Sequence, residues 1–73
     1  MRLSKSQITY LIESLTRDMI TTLMEERGLT MREAMDVVYR SHTYSALSNP
    51  KTGLYYQSDA YVTEQLEEEL ASL

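Results

Sequence analysis

Apolar residues recur through the first third of the chain at three- and four-residue steps, with Ile8, Leu11, Ile12, Leu15, Met19 and Leu23 on one helical face. The spacing predicts a helix over about 6–27, with Ser4 or Ser6 placed to cap its start. Toward its end Ile20 and Met24 widen the apolar stripe. That end is expected to be covered on two sides, by the chain's own core and by a second subunit. The stretch "RGLT" then closes one helix and opens another: Gly28 suits a left-handed C′ position, Leu29 the hydrophobic contact that accompanies it, and Thr30 with Glu33 a T-x-x-E capping box. A second helix is predicted over about 31–40, with Met31, Ala34, Met35 and Val38 inward and Tyr39 at the edge.

The next stretch, "SHTYSALSNPKTG", is dense in Ser, Thr, Asn, Pro and Gly. Residues 43–48 are read as a short helical turn burying Tyr44 and Leu47, held by packing rather than by propensity. Asn49, Pro50 and Gly53 then favour a tight reversal, and residues 54–57 are expected to be briefly extended. The last helix is predicted over about 58–71, with Ser58 as N-cap, Asp59 in the favourable first turn, and Val62, Leu66, Leu70 and Leu73 on one face. Its acidic run, Glu67 to Glu69, falls near the negative end of the helix dipole, so the final turn is expected to fray unless a basic surface meets it. The fold class is all-α: one domain over 1–73, a small bundle of three main helices plus a short helical turn.

Composition sharpens this picture through what is missing. A chain of 73 residues has a small core and usually needs a disulfide, a metal or a partner subunit to hold it. With no cysteine and one histidine, disulfides and Cys/His zinc sites are excluded, no cofactor is expected, and self-association remains as the staple. A homodimer is the expectation. The net charge of −4 lies wholly in the C-terminal part, where Lys51 alone faces Asp59, Glu64, Glu67, Glu68 and Glu69. An acidic chain without a basic cluster is a poor partner for nucleic acid, which gains its affinity from Lys and Arg on phosphates. The N-terminus has no apolar core or small-residue cleavage site of a signal peptide, and no apolar run approaches the ~18 residues that span a bilayer. A cytoplasmic location is expected.

Candidate chemistry is sparse. His42 is the one side chain suited to acid/base work near neutrality, but no orienting carboxylate or oxyanion pocket accompanies it. In helical register it continues the Met31, Met35, Val38 stripe, so it reads as a half-buried packing residue. Consecutive glutamates point in different directions along a helix, so Glu67, Glu68 and Glu69 read as a solvated face rather than a cation site. The segment from Leu29 to Leu47 has the length of a helix-turn-helix, yet its second element, "SHTYSALSN", carries no Arg or Lys. The tyrosines suit interfaces and cores equally, because each pairs a large apolar ring with a polar tip. Tyr44 and Tyr61 are expected to pack the turn against the helices, and one of Tyr55 and Tyr56 to face outward. The candidate interface residues are therefore Ile20, Met24, Tyr55 and Tyr56, and no catalytic or metal residue is assigned.

The pattern Thr43-Tyr44, Leu47, Thr52-Gly53-Leu54-Tyr55, Ser58, Tyr61-Val62, Leu66 and Glu69-Leu70, with Leu29-Thr30 and Glu33-Ala34 upstream, resembles a group of short uncharacterised bacterial proteins of about this length. "TGLY" is its most specific element. The resemblance implies a small helical domain of bacterial origin and carries over no catalytic residue. Some similar short families lie beside toxin genes. The expected function is a protein–protein interaction or regulatory module without catalytic activity, binding a second copy or another protein. The alternative is an antitoxin-like regulator of a partner toxin, with weak DNA contact through the helix-turn-helix-like segment.

Overall fold

In the computed structural model, which describes residues 3–73, the first helix starts where its side chains can satisfy its free amides. Ser4 Oγ accepts from the Gln7 amide and the Gln7 side chain accepts from the Ser4 amide, a reciprocal capping box that opens α1 (Lys5–Arg27). Helix α1 ends at Gly28, whose φ of +67° places it in the left-handed region. The chain restarts two residues later: Thr30 Oγ1 accepts from the Glu33 amide and Glu33 Oε1 from the Thr30 amide, which begins α2 (Met31–Arg40). A Cβ at Gly28 would meet nothing within 4 Å, so only backbone conformation opposes a side chain there. Gly28→Ala is expected to cost about 1 kcal/mol in a urea unfolding titration and Gly28→Asn less, since Asn tolerates left-handed geometry.

One residue separates α2 from the six-residue α3 (His42–Leu47). Ser41 adopts an extended ψ of 151°, ends α2 through its amide to the Val38 carbonyl, and caps α3 by accepting from the Tyr44 amide. Two single 3₁₀ turns follow, Pro50–Thr52 and Leu54–Tyr56, on either side of Gly53 at φ +71°. Thr52 holds this corner: its hydroxyl donates to the Ala46 and Asn49 carbonyls and accepts from the Leu54 amide. Residues 54–56 are thus helical rather than extended, because the Tyr56 and Gln57 amides bond back to Gly53 and Leu54. Ser58 then caps α4 (Asp59–Ala71).

Among the described residues the fold is all-α, with four helices. Every helix and the second 3₁₀ turn contribute to one core, in which Leu15, Met19 and Leu23 of α1 meet Ala34 and Val38 of α2, Leu47 of α3, Tyr55, and Val62 and Leu66 of α4. Helix α1 is the spine. At 1.5 Å per residue it is roughly 35 Å long, most of the molecule's 39 Å long axis against 22 and 19 Å across.

Helix α2 is rotated from its expected orientation. Ala34 and Val38 are buried and Val37 is half-buried, but Met31 and Met35 are 60% and 38% exposed. At 100° per residue Met31, Met35 and Tyr39 lie about 40°, 80° and 120° from the middle of the Ala34–Val38 pair, on one flank. The small Ala34 and the β-branched Val38 face the core, and the longer methionines are turned aside. His42, expected half-buried on the same stripe, is exposed, because the break at Ser41 ends the register that would have carried it inward. Tyr61 is likewise exposed rather than packed under the turn. It sits next to the inward Val62, and α4 turns only Val62 and Leu66 fully to the core.

Candidate functional site

The structure separates the four candidate interface residues. Ile20 and Met24 are half-buried and pack against the core from the outer flank of α1. Tyr55 is only 8% exposed and belongs to the core, whereas Tyr56 is 60% exposed. Their ring centroids are 4.5 Å apart at 30°, so the outward ring lies partly on the inward one. Burial pushes the Tyr55 phenol above its ordinary value, and the neighbouring Tyr56 phenol adds to it.

A larger feature lies on α1 and α2, and only part of it was expected. Met31, Met35 and Tyr39 form an exposed apolar line along α2 at i, i+4, i+8. Tyr39, itself 49% exposed, stands edge-on to Tyr44 with centroids 4.9 Å apart at 83°. Two shallow concavities share Tyr39 as a common wall. One lies along α2 beside Arg32, Met35 and Asp36; the other is closed by Ile12, Thr16 and Ile20 of α1 together with Tyr44. The apolar arc of α2, from Val37 round to Tyr39, is about 200° wide, twice the roughly 100° that a helix in a small globular domain presents to its core. The surplus is this surface. Its signal was present in the sequence as two methionines and a tyrosine added to a helix already holding Ala34, Val37 and Val38.

The acidic C-terminal run is engaged rather than simply solvated. Glu67 Oε2 lies 3.2 Å from the Arg27 guanidinium, while its buried Oε1 has no hydrogen-bond partner among the described residues. Glu69 reaches across to α3: its two oxygens accept from the His42 amide at 2.8 Å, the Thr43 amide at 2.9 Å and the Thr43 hydroxyl at 2.8 Å. Partial burial works to raise the Glu69 pKa, but these three hydrogen bonds and the nearby His42 outweigh it, and the net shift is downward from 4.5. The element read as a helix-turn-helix second helix therefore has a carboxylate on its N-terminus, where a phosphate would otherwise be drawn.

Between α1 and α4 runs a groove walled by Asp18, Glu26, Asp59, Glu64 and Glu67. Among the described residues no three His, Asp or Glu side chains converge as metal ligands, and no helix is long and apolar enough to cross a membrane. Comparison with protein-family models, with curated proteins and with solved structures finds no match. The likeness to short bacterial proteins thus rests on the sequence pattern alone.

Proposed function

We propose that this chain is a protein–protein interaction module without catalytic activity, and that it binds through the apolar surface centred on Met35 and Tyr39. One observation carries the reading: Met31, Met35 and Tyr39 form an exposed line on one helix, while the other exposed large apolar side chains among the described residues, Tyr10, Tyr56, Tyr61 and Leu73, lie outside that helix. Exposed apolar surface of this kind, rimmed by charge, marks binding sites on soluble domains. The rim here is Arg32, Glu33 and Asp36. Methionines suit such a surface because their flexible thioethers adapt to a partner, and tyrosine adds area at low entropic cost. The Glu69 carboxylate on α3 favours a protein partner over nucleic acid.

The test is a photo-crosslinking residue at position 36, beside the surface, in full-length protein expressed in its own cells. The expected result is a discrete adduct that disappears when Met35→Glu is added, while the same probe at position 64 on α4 gives none. No adduct at position 36, or one indifferent to Met35→Glu, sinks the proposal.

A further inference from the structure

The geometry points to a second copy of this chain as the occupant of that surface, through antiparallel packing of α2 on α2 about a two-fold axis beside Met35. The inference rests on the interaction reading above and adds the identity and register of the partner.

Exposed area is the first support. A folded monomer of this mass exposes about 4,650 Å² by the usual scaling, whereas this chain of 8.5 kDa exposes 5,242 Å². The excess, about 600 Å², belongs to the whole chain and not to α2 alone, and it is of the order of the roughly 800 Å² that each partner buries in an interface of standard size. With no cysteine and, among the described residues, a core of nine buried apolar side chains, a fold this small gains from covering exposed apolar surface.

Self-complementarity is the second. A two-fold interface is isologous, so residue i meets residue j and j meets i. With the axis at Met35, each Met35 meets the partner's Met35, and each Met31 meets the partner's Tyr39, a thioether-on-ring contact of favourable kind. Arg32 falls between the partner's Asp36 and the partner's Tyr39, which offer it a carboxylate and a ring face. Within the chain Arg40 holds Asp36 at 3.1 Å, and among the described residues Arg32 has no ion-pair partner of its own. The parallel arrangement would lose this pairing, because it sets Arg32 and the partner's Asp36 on opposite sides of the interface.

The register makes one position its own neighbour, which a charge-swap experiment can read. In sedimentation equilibrium at tens of micromolar the native chain is expected at twice 8.5 kDa. Met35→Glu and Met35→Lys alone are each expected at the monomer mass, with dissociation constants raised at least about 100-fold, an effect of like charges brought face to face. Mixed in equal amounts they are expected to recover the dimer, while Tyr56→Ser changes nothing. Circular dichroism on each variant confirms its helices. Should either charged variant fail to fold, Met35→Cys substitutes: the native chain has no cysteine, and mild oxidation is expected to join two copies through position 35.

A native chain monomeric throughout overturns the inference. So does a dimer that survives both charged variants, a mixture that stays monomeric, or Met35→Cys that will not cross-link. If the purified chain is monomeric while the position-36 probe captures a different protein in cells, the interaction reading stands and only the self-partner falls. If both experiments are blank, both fall.

Discussion

Leu47→Ala is expected to lower the stability of the domain by about 2–5 kcal/mol, the range for removing a fully buried leucine. Leu47 is wholly buried, and it is the one apolar side chain that α3 sends into the central core. A helix of six residues has no stability of its own, because nucleation costs more than so few hydrogen bonds return. Around it pack α2, α4 and both 3₁₀ turns. Loss of Leu47 therefore loosens the corner that joins the α1–α2 hairpin to α4, in addition to leaving a cavity. A domain of this size typically has only ~3–5 kcal/mol from its core, so the variant is expected to be largely unfolded at 25 °C by far-UV circular dichroism. Leu47→Met, which conserves volume, is expected to cost under about 1.5 kcal/mol. A Leu47→Ala urea midpoint close to the native one would refute this placement of α3 in the core.

What could be read from sequence follows from how local each cause is. The start of α2 was legible because Thr30 and Glu33 act on each other's amides within one turn. The face of α1 was legible because Leu15, Met19 and Leu23 repeat with the helical period over a long element. The orientation of α2 was not, since Val37, Ala34, Val38, Met31, Met35 and Tyr39 span so wide an arc that periodicity alone cannot choose its inward part. Packing against α1 made the choice. Residues 54–56 were misread as extended because the causes of the 3₁₀ turn lie just upstream, in the left-handed Gly53 and the Thr52 hydroxyl. The role of Glu69 escaped for the opposite reason: its partners are 26 and 27 residues away. A trace of it was visible, in that α3 has no acidic residue in its first turn and α4 has an acidic last turn with no basic one. Each helix end lacked what the other carried.

Glu69→Ala is expected to cost about 2–3 kcal/mol at pH 7, because it removes charge-assisted hydrogen bonds and the cap of a helix at once. The four amides at the start of α3 are all satisfied: Ser41 by the Val38 carbonyl, His42 and Thr43 by Glu69, and Tyr44 by the Ser41 hydroxyl. Alanine at 69 strands two of them, one belonging to the buried Thr43. Glu69→Gln keeps one acceptor but turns an amide donor toward the other N–H, so about 1–2 kcal/mol is expected. The two native-versus-variant gaps depend on pH in a fixed direction. The folded-state pKa of Glu69 is depressed from its ordinary 4.5, so its contribution is fully present above that value and is lost as pH falls through the lower folded value. Urea titrations of native and Glu69→Gln protein at pH 7 and at successive steps below pH 4.5 should show the gap closing with acid. Comparing the two proteins at each pH cancels the titration of the other carboxylates they share. A gap of equal size at both ends of the range would mean that Glu69 acts through packing and not as a carboxylate cap, and that the tie between the C-terminal helix and α3 is not electrostatic.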